Sequence, residues 1–132
     1  MRCKPQTGRG PLVPELKSLL VISRQPPSAL AAREALDLAL AAAAFGVPVS
    51  MLFMDAGVLQ LLPGQESALI EQKPLAANLQ ALPMFGVEDV YVCHHSLAER
   101  GLQPGRFLLT AKAVDSAEIA SLLDHHDQVV TL

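Results

Sequence analysis

Tryptophan is absent from this chain, tyrosine occurs once, at Tyr91, and cysteine twice, at Cys3 and Cys93. So few aromatic rings exclude a platform on which bases could stack. Two cysteines cannot build a disulfide framework, and their sparing use points to a reducing, cytoplasmic setting. Charge is also scarce. Only 17% of residues are charged, against about a quarter in ordinary soluble domains. The net charge of −3 and pI near 5.7 lack the basic footprint that direct nucleic-acid binding needs. No apolar run approaches the roughly 20 residues of a membrane-spanning helix, and the start has no apolar middle of the kind a signal peptide carries. Neither direct nucleic acid nor membrane is therefore expected as a partner.

What the chain has in quantity is aliphatic side chain: 51% of its 132 residues are hydrophobic and its mean hydropathy is +0.33. That length supports one domain with one core. A small, charge-poor chain holds more apolar surface than it can hide alone, so burial between subunits is the expected outlet. Met1 to Glu15 is basic and rich in Pro and Gly. Residues 1–16 therefore read as a disordered tail in which Cys3 is incidental, and 17–132 as the single folded domain.

Ser18 to Ser23 (SLLVIS) is a continuous apolar run, which suits a strand covered on both faces. After Pro26-Pro27, Ser28 is positioned to cap a helix from Ala29 to Phe45, closed by Gly46. Arg33, Glu34 and Asp37 give that helix one narrow charged stripe. The rest is Ala and Leu nearly all round, as in a helix buried on more than one side. Val47 to Met54 reads as a second strand with Pro48 at its start, and Val58 to Leu62 as a short helical turn before Pro63-Gly64. The Leu59, Leu61 and Leu62 cluster there fits either core or an exposed assembly loop. Gln65 to Lys73 reads as loop with some helix, and Leu75 to Leu82 as a helix. Val90 to Cys93 is a third strand and Phe107 to Thr110 a fourth. A helix capped by Asp115 or Ser116 and reinforced by Glu118 runs through Leu123, and Asp127 to Leu132 is a fifth strand. Alternating strands and helices predict an α/β fold: a single-domain, open, mainly parallel five-stranded sheet flanked by helices.

Chemistry is concentrated at Val90 to Gly101 (VYVCHHSLAERG), where a β-branched strand turns into a short helix starting at His95 or Ser96 and stopped by glycine. Cys93 sits at the junction, the ligand-facing edge of a parallel sheet. Free N–H groups at a helix start stabilise a thiolate, and His94 and His95 are neighbouring potential cations. The opposing reading is a buried cysteine serving as a small hydrophobe. Six residues separate Cys93 from Arg100, one more than the anion-cradling loop of cysteine phosphatases contains, so that activity is excluded. Adjacent histidines rarely point at one ion, and Cys93, His94, His95, His125 and His126 lack zinc-ligand spacing. His125-His126 fits a helix C-terminus better, where it complements the dipole.

Three pieces resemble the DsrE/DsrF-like sulfur-relay proteins, most closely their TusC/DsrF branch. They are SLLVISRQPPSALAAREALDLALAAAAFG, the segment LFMDAGVLQLLPGQ, and DVYVCHHSLAERGL with its C-x7-G spacing. The resemblance covers about Lys17 to Leu132. The resemblance implies a subunit, accessory or weakly catalytic, of a cytoplasmic heterohexamer with TusB-like and TusD-like chains. Such an assembly relays persulfide sulfur from a TusA-like donor towards a TusE-like acceptor for 2-thiouridine formation at the tRNA wobble position. A DsrF-like role in dissimilatory sulfur oxidation is the metabolic alternative. No cofactor or metal is implied. Cys93 occupies the position of the family's reactive cysteine and so is the candidate persulfide carrier. Asp55-Ala56-Gly57 stands where the family more often has Ala-Asp-Gly, and His94-His95 replaces small residues after the cysteine.

Overall fold

The computed structural model describes residues 17–63, 75–103 and 105–132. The tail and Gln65 to Lys73 lie outside them. Five strands, β1 (Leu19–Ser23), β2 (Val49–Phe53), β3 (Asp89–Cys93), β4 (Lys112–Val114) and β5 (Gln128–Thr131), form one sheet in the order β4-β3-β2-β1-β5. Every pairing is parallel. The helices are α1 (Leu30–Ala44), α2 (Leu75–Gln80), α3 (His94–Glu99) and α4 (Ser116–His125), with 3₁₀ turns at Asp55–Leu61 and Leu82–Phe85.

The strand order dictates where the helices go. From β1 to β4 the chain steps in one direction, and right-handed crossovers place α1, α2 and α3 on a single face. The return from β4 across the sheet to β5 runs the other way, so α4 falls on the opposite face. Burial follows this division. On the three-helix face, Val21, Met51, Phe53 and Val92 join Ala35, Leu36, Leu79 and Leu97 in the larger core. On the other, Leu20, Ile22, Leu52 and Val114 pack with Ile119 and Leu122 of α4. β1 and β2 are buried at every position, which is why both read as unbroken apolar runs.

α1 buries Ala32, Ala35, Leu36 and Ala39, while Leu30 and Phe45 at its two ends stand exposed, as do Met84 and Phe85 in the second 3₁₀ turn. Its N-cap is Ala29 without a side-chain bond, where Ser28 was expected; the Ala29 N–H instead donates to Pro26 O, 3.0 Å, so the proline turn sets the helix entry. Leu61 is fully buried and Leu59 and Leu62 half-buried, which favours core for that cluster.

The fourth strand is not Phe107 to Thr110. Those apolar side chains are half-buried against the larger core, and the Leu108 N–H donates to Leu61 O at 2.8 Å, which takes that backbone out of the ladder. β4 falls instead on Lys112-Ala113-Val114, where only Val114 is buried. α4 carries the expected capping box, with Glu118 N–H donating to Asp115 Oδ1 (2.8 Å) and Asp115 N–H to Glu118 Oε1 (3.0 Å). It runs two residues past Leu123. His125 and His126 close it, each Nδ1–H donating to a carbonyl of the last turn at 2.7 Å, and His126 Nε2 reaches Ser50 Oγ of β2 at 3.0 Å.

Tyr91 lies on the α4 face, beside Leu52 of β2 and Lys112 of β4. Burial, and secondarily the Asp89 carboxylate two residues along the same face, raise its phenol above the ordinary 10.0. A raised folded-state value favours the protonated form, so the unfolded chain ionises first and stability falls only as pH rises past about 10. Urea midpoints measured from about pH 8 to 11 are expected to drop over the upper part of that range, and Tyr91→Phe to flatten the drop.

Candidate functional site

The carboxyl ends of β1, β2 and β3 meet at one edge of the sheet, and each contributes to a connected set of polar groups. Cys93 ends β3 and is itself the N-cap of α3, which begins at His94, one or two residues earlier than expected. Its Sγ accepts the Ser96 N–H at 3.4 Å, so the sulfur takes the capping role usually filled by an oxygen. The same bond ties the sulfur to the first turn of α3. Cys93 is only 5% exposed, so the thiol is held beneath the surface.

Ser96, also buried, links this thiol to β2. Its Oγ accepts the Asp55 N–H at 2.8 Å. Asp55 has φ +54, a left-handed conformation that aspartate tolerates better than most residues. Its carboxylate accepts a hydrogen bond from Arg24 Nε, just past β1. This ion pair is half in solvent, with 51% of the Arg24 side chain and 38% of that of Asp55 exposed. Arg100 closes the other end of α3 by donating to Ser96 O at 3.2 Å.

The 3₁₀ turn after β2 is locked onto β1. Gly57 lies against Ser23, where a Cβ would come within 2.1 Å of Ser23 O. Gln60, 2% exposed, donates through Nε2 to Ser23 Oγ and Gln25 O, both at 2.8 Å. Because the Gln25 carbonyl can only accept, the amide orientation is fixed, and Oε1 is left buried without a hydrogen-bond partner. Gly57 and Gln60 of LFMDAGVLQLLPGQ thus brace the loop beside the cysteine.

His94 and His95 do not converge on the thiol. Both are exposed, and His95 Nε2 lies 3.3 Å from Glu99 Oε2, one turn along α3. His125 ends α4 and His126 caps it; that helix starts after the ligand-facing end of β4 and finishes before the start of β5, away from Cys93. Among the described residues no group of three or more His, Cys, Asp or Glu is placed to hold a metal ion. No described helix is long and apolar enough to cross a membrane. Sequence reasoning passed over Ser96 as a partner of Cys93; its place three residues after the cap, the capping-box spacing, was the available signal.

Comparison with known proteins agrees with this architecture. Residues 17–132 match the model of the DsrE/DsrF-like family. The Protein TusC homolog of Pseudomonas aeruginosa is 56% identical over 117 residues, which is 88% of this chain and 98% of that protein. The Protein TusC homolog of Vibrio vulnificus strain CMCP6 is 36% identical over 106 residues, 80% of this chain and 90% of that one. Among solved structures, the ychN protein from E. coli superposes with a TM-score of 0.78 at 19% identity, covering 89% of this chain and all of that one; at that identity the likeness speaks for the fold. With the family's model matched over the whole described domain, the chain belongs to the DsrE/DsrF-like family.

Proposed function

We propose that this chain is a TusC-like subunit of a cytoplasmic sulfur-relay complex. With TusB-like and TusD-like chains it forms a heterohexamer that passes persulfide sulfur from a TusA-like donor towards a TusE-like acceptor, for 2-thiouridine formation at the tRNA wobble position. The observation that carries this reading is the 56% identity to a TusC homolog along nearly its full length. The exposed Leu30, Phe45, Met84 and Phe85 support obligate assembly, since apolar surface of this kind is favourably buried against a partner. In purification with TusB-like and TusD-like chains, a defined hetero-oligomer is the expected product. A monodisperse monomer at micromolar concentration, indifferent to those chains, would sink the proposal.

A second reading is that Cys93 itself carries sulfur, and the N–H bond to its Sγ favours it. In that step the Cys93 thiolate attacks the terminal sulfur of the donor persulfide. The donor's S–S bond breaks, a new one forms on Cys93, and the donor leaves as a thiolate that takes up the displaced proton. Sulfur moves with no net oxidation. After loading the complex with donor persulfide, mass spectrometry is expected to find a one-sulfur adduct on the Cys93 peptide, and Cys93→Ser to lose both adduct and transfer. Full transfer by Cys93→Ser with no adduct on the parent chain leaves Cys93 a packing residue and the carrier role to a partner subunit.

A further inference from the structure

A residue that exchanges sulfur with another protein has to be reached, and Cys93 is buried. We propose that the Arg24–Asp55 ion pair is a latch that holds the thiol in, and that releasing it lets the first turn of α3 open and present Cys93 to solvent. This inference rests on the reading of Cys93 as a carrier. Its elements form a single chain of contacts across three strand ends. Arg24 holds the Asp55 carboxylate, and Asp55 sits at φ +54, a conformation that needs support from its surroundings. From there the Asp55 N–H donates to Ser96 Oγ and the Ser96 N–H to Cys93 Sγ. Freed of its ion pair, Asp55 relaxes towards ordinary φ, its N–H swings away from Ser96, and the turn that buries the sulfur loses its anchor on β2. The ion pair is also the solvent-exposed link, and so the one that salt or a docking protein's charge can reach.

Alkylation of the folded, full-length chain by iodoacetamide, followed by mass spectrometry of the Cys93 peptide so that Cys3 does not interfere, measures the opening. Arg24→Gln is expected to speed labelling about fivefold, the exposure of both side chains limiting the pair to an effect of that size. Added salt speeds the parent protein by screening the pair and leaves Arg24→Gln unchanged. Asp55→Gly tests the strain: glycine accepts positive φ freely and keeps the N–H to Ser96, so Arg24→Gln with Asp55→Gly is expected to label near the parent rate. Parent-rate labelling of Arg24→Gln, or a double variant as fast as Arg24→Gln, overturns the latch. So does a loss of global stability in Arg24→Gln that by itself accounts for the faster rate. Sulfur adducts on Cys93 are scored separately. If none form while labelling follows the latch pattern, the carrier reading falls and the latch stands; adducts with parent-rate labelling of Arg24→Gln give the reverse.

Discussion

Phe53→Ala is expected to cost about 3–5 kcal/mol, a large share of the roughly 5–15 kcal/mol that holds a domain of this size together. Phe53 is fully buried at the end of β2, flanked by Ser23 of β1 and Val92 of β3. It points into the core that α1, α2 and α3 cover. Packed from several directions, that space cannot close over the lost ring, and the cost includes the cavity as well as the transfer of the side chain. Leu52, its neighbour in sequence, is equally buried but faces α4. That helix has no fully buried residue of its own and so is free to settle into the gap. Leu52→Ala is therefore expected near the lower end of the usual range, about 2–3 kcal/mol. Urea denaturation of both variants checks the order. Equal losses would mean that α4 is as firmly seated as the three helices opposite, against the division of the core argued from the crossovers.

The same contrast explains how much could be read from sequence. β1, β2 and β3 were legible because apolar side chains on both faces leave an unbroken hydrophobic run, and α4 because Asp115 and Glu118 announce its first turn. β4 was not. Its three residues, Lys112, Ala113 and Val114, look weaker than the Phe107-Leu108-Leu109 run before them, and only the tertiary bond from Leu108 to Leu61 takes that run out of the sheet. At the site, the strand-to-helix change located Cys93, but its burial was not visible. Nor were the links onward to Asp55 and Arg24, because they join residues 41 and 31 positions apart, one through a backbone N–H and one through a side-chain ion pair, and no local residue pattern marks either. Asp55 looked like a departure from its family's usual order; in the structure it is the residue that ties β1 to α3.

Gly57→Ala is expected to be about as damaging as Phe53→Ala for a different reason. The new methyl group would lie 2.1 Å from Ser23 O and 2.8 Å from Ser23 C. Both are main-chain atoms, so no rotamer change relieves the clash and one of the two backbones has to move. Ser23 O also accepts the Met54 N–H at 3.1 Å, the bond that carries the β1–β2 pairing past the end of the strands. Forced packing of this kind costs about 1–3 kcal/mol, and a buried backbone hydrogen bond broken along with it about 1–3 more, for a total of about 2–6 kcal/mol. The displacement would not stay local. Ser23 holds Gln60 through its hydroxyl and precedes Arg24, whose guanidinium sets Asp55. Moving Ser23 therefore shifts the arginine end of the contacts that reach Cys93. Two measurements bear on this together: a urea midpoint well below that of the parent, and faster alkylation of Cys93 under conditions where the variant is still folded. A Gly57→Ala protein within about 0.5 kcal/mol of the parent, the ordinary scatter of surface changes, would show that the turn after β2 yields without disturbing β1. The close approach of Gly57 to Ser23 would then have no part in positioning the cysteine.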